Sequence, residues 1–206
     1  MPVTKHKSAS VSQRRNETRK DERIRRTRAR LDAAFVELMH RRSYGNIRVS
    51  DIARKAGVGR ATFYAHYRTK DDLLRSQFDR IVAPMIMSAP ADPSLLDATP
   101  FFAHVGGVPH LFRALMGPEG GSGPQVLREC FEARARTAIE LKQVSVRGAS
   151  ASALKLNVTV RYVAASLLTV IECWLEAGAR ETPHHIQALF SNLVGPGIAA
   201  FIDDRV

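Results

Sequence analysis

The chain has 206 residues, 45% hydrophobic and 25% charged, enough for one or two packed helical domains, and carries a formal net charge of +11. No run of eighteen or more apolar residues and no apolar leader near the start argues for a membrane span or secretion, so a cytoplasmic protein is expected. Residues 1–75 hold 20 Lys and Arg against 8 Asp and Glu, a net +12, and the other 131 hold 11 against 12, a net −1, so the charge belongs to one end and points to a polyanion there.

Residues 1–20 are polar and basic (Lys5, Lys7, Arg14, Arg15, Arg19, Lys20) without apolar periodicity, and are expected to be a disordered basic arm able to follow a groove or add phosphate affinity. A helix is predicted from about Asp21 to Arg42, burying Leu31, Ala34, Phe35, Leu38 and Met39. Val49 to Ala56 spaces Val49, Ile52, Ala53 and Ala56 on one helix face. Gly57 can then take the left-handed conformation and turn the chain, with Val58 plugging the corner. A second short helix, about Arg60 to Tyr67, points Phe63 inward and leaves donors, small residues and rings outside, a surface suited to base edges and phosphates.

Asp71 and Asp72 open the next helix at the positive end of its dipole, Leu73, Leu74, Phe78, Ile81 and Val82 continue its apolar face, and Pro84 is expected to kink or end it. Six prolines and several glycines break residues 88–124 into two short helices near Leu95–Val105 and Pro109–Met116 and a surface loop, GPEGGSGP. Long helices are predicted over Gln125–Val146 and Leu154–Ala177, and Pro183 opens a last one; no strand is evident. Leu154–Ala177 is apolar around most of its circumference, so it needs more cover than one monomer offers, and pairing of the last two helices across a two-fold axis supplies it. Burial within the monomer alone is the competing reading. Cys130 and Cys173 read as buried thiols.

The segment VSDIARKAGVGRATFYAHYRTKDDLL, with the preceding ARLDAAFVELMHRRSYGNIR, resembles the helix-turn-helix of the tetracycline-repressor (TetR) family of bacterial transcription regulators. It departs from the family in having Arg48 where threonine is usual and Gly59 where serine or threonine is usual, which weakens both helix caps. The resemblance implies an all-α protein of about nine helices: a three-helix DNA-binding domain over 21–70 after the arm of 1–20, and an effector-binding and dimerisation domain over 71–206. It also implies a homodimer through the last two helices, with recognition helices meeting successive major grooves of double-stranded DNA about 34 Å apart. Carried over residue by residue, it makes Arg60 a base reader and Ala61 a thymine-methyl contact. Thr62, Tyr64, His66 and Lys70 become phosphate contacts, Arg48, Ser50 and Lys55 lie at the groove edge, and Tyr67 serves either DNA or core.

Met85, Phe101, Phe102, His104, Phe112, Met116, Phe131 and Trp174 read by themselves as core; the resemblance makes them candidates for the pocket of a small-molecule effector. His184 and His185 beside Glu181, and His104 with His110, raise a metal site, but adjacent helical histidines diverge by about 100° and no cysteine or carboxylate cluster completes either one. No metal or cofactor is expected. An enzyme finds no phosphate loop and no nucleophile–base pair here, and a membrane-surface protein lacks an inserting apolar face. The expectation is a ligand-responsive repressor on a palindromic operator, with a regulator lacking an effector, or an activator, as the alternative.

Overall fold

The computed structural model describes residues 6–89, 91–145 and 153–202. Nine α-helices lie among them: α1 His6–Met39, α2 Val49–Lys55, α3 Arg60–Tyr64, α4 Lys70–Gln77, α5 Thr99–Gly107, α6 Pro109–Met116, α7 Gly123–Ser145, α8 Ala153–Glu176 and α9 Pro183–Ile202. The all-α class stands. The arm does not: α1 begins at His6, so residues 6–20 are helical where no structure is expected, and residues 1–5 lie outside the described set. No Gly or Pro interrupts residues 6–39, and once a helix is nucleated by the packed turns at Leu31, Phe35 and Met39, each Arg, Lys, Gln or Glu added upstream gains a backbone bond at little cost.

Thr69 and Asp72 cap α4 reciprocally: the Asp72 N–H donates to Thr69 Oγ1 and the Thr69 N–H to Asp72 Oδ2, each at 3.1 Å. The helix loosens into a π turn at Phe78–Val82 and a 3-10 turn at Ala83–Met85 holding Pro84, so the expected break falls where proline forbids continuation. A structured element absent from the sequence reading follows: Met87–Ser88 (β1) pairs antiparallel with Leu96–Asp97 (β2). Two-residue strands carry no readable alternation. Buried side chains of α9 hold them: Gln187 Oε1 accepts from the Ala98 N–H (2.9 Å), Gln187 Nε2 donates to Leu96 O (2.8 Å), and Ser191 Oγ donates to Asp92 Oδ1 (2.9 Å).

The C-terminal helices pack around an aromatic centre in which Phe101 meets Phe112 at 5.6 Å and Phe131 at 5.5 Å, and Phe102 meets Trp174 edge-on at 6.2 Å. α8 has the length and mean hydropathy of a membrane-crossing helix. It buries ten side chains, from Thr159 to Leu175, chiefly against α7 and α9, while Leu154, Val158 and Tyr162 stay exposed at four-residue spacing; Leu189 and Leu193 do the same on α9. Cys130 is buried, which pushes its thiol up to about 11, but Cys173 is exposed, contrary to expectation, because it lies on the side of α8 turned away from the bundle. α9 runs through Gly195-Pro196-Gly197.

Candidate nucleic-acid interface

The turn between α2 and α3 has the expected chemistry. Gly57 is left-handed at φ 63°, a Cβ there would lie 2.7 Å from Arg30 Nη2, and that guanidinium donates to Gly57 O at 2.9 Å, fixing the turn to α1. Both weak caps are visible. Arg48 has no acceptor to offer, so only Asp51 acts, accepting the Arg48 N–H at 3.1 Å, while Gly59 contributes extended backbone and no side chain. α3 therefore spans only five residues, three fewer than expected, and depends on Phe63, fully buried and edge-on to Tyr64 at 5.6 Å.

Arg48, Ser50, Arg60, Ala61 and Tyr64 are exposed, and Thr62 and His66 half-buried, so the structure brings these predicted residues to the outer side of α2 and α3. Burial, and then Arg28, hold His66 below the usual histidine range. Three predicted residues are differently engaged. Lys55 pairs with Glu37 at 2.5 Å, which holds that carboxyl below its usual range. Tyr67 is core, not surface: it is 6% exposed, and its hydroxyl donates to Asp32 Oδ1 at 3.3 Å. Lys70 is turned inward, its Nζ donating to Tyr44 O (2.7 Å), Ile47 O (3.0 Å) and Gly45 O (3.4 Å) and lying 4.3 Å above the Tyr44 ring. Those bonds use all three ammonium protons, which removes Lys70 from the expected phosphate set; burial lowers its pKa. Arg28, exposed on α1 and 5.9 Å from the Tyr67 ring, is a cation near this surface that the motif did not single out.

Behind the motif a seam joins α1, α4 and the 3-10 turn at Tyr44–Asn46 to the C-terminal helices. Tyr44 donates its hydroxyl to Asp71 Oδ1, which also accepts from Ser122 Oγ at 2.8 Å; burial and this carboxylate raise the Tyr44 pKa. Gly45 N–H donates to Glu119 O at 2.9 Å, Arg75 pairs with Glu129 at 2.5 Å, and His40 Nδ1 meets His110 Nε2 at 2.5 Å. GPEGGSGP is thus a coupling loop as well as a surface one.

Most of the expected pocket residues are core: Phe101, Phe102, Phe131 and Trp174 fill the aromatic centre, since their rings close on one another and leave no space. Met85 packs half-buried against the core, and Met116 lines a separate shallow cleft with Glu172 and Glu176. Only His104 and Phe112 line the apolar cavity of the seam, where burial lowers the His104 pKa. Among the described residues no three His, Cys, Asp or Glu side chains could hold a metal ion; His185 instead pairs with Glu181 at 2.7 Å.

The fold and this surface define a helical protein built around a helix-turn-helix. Residues 31–76, which hold the helix-turn-helix, match the bacterial regulatory proteins of the tetR family. An HTH-type transcriptional regulator, YxbF, of Bacillus subtilis (strain 168) is 38% identical over 96 residues, 44% of this chain and 25% of the relative. The match spans a quarter or less of the length of such curated relatives. Among solved structures, the dihydroxyacetone kinase operon activator DhaS superposes with TM-score 0.54 and 19% identity over 85% of this chain and 97% of DhaS. A TetR transcriptional regulator from Streptococcus agalactiae 2603V gives 0.51 and 19% over 87% and 99%. These two likenesses establish the fold.

Proposed function

We propose that the chain is a transcription regulator, a ligand-responsive repressor that binds a palindromic operator as a homodimer. The observation that carries this is α3 itself: five residues anchored by Phe63, with Arg60, Ala61 and Tyr64 all facing out of a segment whose net charge is +12. A surface so small and so charged has use for nucleic acid and little for a folded protein partner. Arg60 reads a base, Ala61 lies against a thymine methyl, and Arg48, Ser50, Thr62, Tyr64 and His66 position the backbone. The DNA-binding unit spans about 21–70 and the effector and dimerisation unit 71–206. Pairing of α8 and α9 between two copies accounts for the exposed stripe of Leu154, Val158, Tyr162, Leu189 and Leu193.

Selection of bound sites from a random duplex library at physiological salt tests the reading. An enriched inverted repeat is expected; binding without enrichment overturns it. On the enriched site, Arg60→Ala should cost about 1–3 kcal/mol and relax selectivity at one base pair. Equal losses on selected and random duplexes would exclude base reading by Arg60.

A further inference from the structure

A cavity of about 100 Å³ lies in the seam where α1, α4 and α6 meet, walled by Phe35 and Met39 of α1, Leu74 of α4, and Leu111 and Leu115 of α6. None of its lining residues is Asp, Glu, Lys or Arg. Two lining groups, His104 and Gln77, do not fit an apolar wall, and Gln77 is the one left with an unmatched donor. Gln77 is 7% exposed, its Oε1 accepts from Arg80 Nη2 at 3.2 Å, and its Nε2 is buried with no acceptor. A leucine would fill that position without stranding a donor, so the unmatched N–H bonds are a standing cost to the empty protein. A bound molecule bearing an acceptor removes it.

Size and charge limit that molecule. An apolar cavity of about 150 Å³ accepts a benzene ring, so this one, open at its mouth, takes a single ring or an alkyl group of similar bulk. An anion is disfavoured: Arg75 of α4 is paired with Glu129 at 2.5 Å, and Arg80, in the π turn after it, with Asp32 at 2.6 Å. Its position matters as much. The cavity is walled on one side by the helix that carries the helix-turn-helix and on the other by α6, with His40–His110 and Tyr44–Asp71–Ser122 bridging the same seam.

We infer that the seam cavity is the effector site, taking an uncharged molecule the size of one ring with one hydrogen-bond acceptor for Gln77 Nε2, and that its occupancy sets the angle between α1 and the C-terminal helices. This rests on the ligand-responsive reading above, and it places the ligand between the two units, not inside the aromatic centre of the second.

The full chain, carbon-13 labelled at leucine methyls, is titrated with cyclohexanone and with methylenecyclohexane, the same ring with a methylene in place of the oxygen. Cyclohexanone should shift the Leu74, Leu111 and Leu115 methyls first. Gln77→Leu, which fills the wall and removes the stranded donor, should weaken cyclohexanone by roughly tenfold and leave methylenecyclohexane within about twofold. Absence of seam shifts with both compounds overturns the site, and equal effects of Gln77→Leu on both overturn the role of Gln77. Leu111→Phe, which plugs the cavity, should abolish both. On the selected duplex, saturating cyclohexanone should change affinity in the native chain and not in Leu111→Phe; seam binding with unchanged duplex affinity overturns the effector role. Failure of the native chain to select any duplex is the separate failure of the regulator reading, and the methyl shifts then still decide the site.

Discussion

Lys70 stands at the edge of the helix-turn-helix yet presents its charge to three backbone carbonyls and a tyrosine ring of its own domain. At the 3-10 turn Tyr44–Asn46, Tyr44 O accepts the Ile47 N–H, and the ammonium adds a second donor to it and caps the Gly45 and Ile47 carbonyls. Lys70→Met should therefore destabilise the chain by about 1–3 kcal/mol in urea unfolding. It should leave the salt dependence of duplex binding unchanged, whereas a phosphate contact requires the slope to fall by about one. His104 makes a second residue-scale prediction. Burial lowers its pKa in the folded chain, so on acidification the unfolded chain takes up the proton first. Its contribution to stability is complete above about pH 6.5 and is lost as the pH falls from there toward the folded value. The Tm of the native chain should drop more steeply between pH 7 and pH 5 than that of His104→Asn. Parallel curves would show that other groups, His66 among them, carry the dependence.

At the scale of elements, α9 shows how a sequence that should break a helix can persist in one. Pro196 cannot donate to Asn192 O, and glycines flank it, yet the helix continues through Ile198, whose side chain is buried. Gly195 is required for a different reason: a Cβ there would come within 2.5 Å of the Pro93 Cβ on the hairpin turn that Asp92, Ser191 and Gln187 hold in place. Pro196→Ala should therefore stabilise the chain by about 1–3 kcal/mol, and Gly195→Ala should destabilise it by a similar amount, both read from thermal melts. The helix-turn-helix was legible in the sequence because local chemistry decides it: the spacing of Ile52, Ala53 and Ala56 and the left-handed Gly57 need no knowledge of the rest of the chain. The hairpin was not, since β1 and β2 are too short to alternate and are held by α9, some ninety residues away. Lys70 was misplaced, and Tyr67 left undecided, because their partners, the Tyr44 turn and Asp32, come from other elements. The expected pocket was misplaced because aromatic residues that line a space and those that fill one look alike until their rings are seen to touch.

For the whole molecule, the proposed pairing of two copies through the exposed leucines of α8 and α9 ties assembly to the proposed DNA binding. Leu154, Val158, Leu189 and Leu193 leave solvent only if a second copy covers them, and two α3 helices act on an inverted repeat only if that cover fixes their separation. Leu193 is 55% exposed in the single chain, so Leu193→Glu should leave the fold and its helical circular dichroism intact while burying an unpaired charge in any α8–α9 pairing. Sedimentation should then give the mass of one chain where the native protein gives two. Affinity for a full inverted repeat should fall by about a hundredfold or more, because each half-site is now met separately, while affinity for an isolated half-site stays the same. If Leu193→Glu still sediments as two chains, the pairing surface lies elsewhere and the spacing of the recognition helices must be set by other contacts. If it sediments as one chain and still holds the full repeat as tightly as before, then α3 and its basic surround carry the affinity alone, and the two-fold arrangement has no part in recognition.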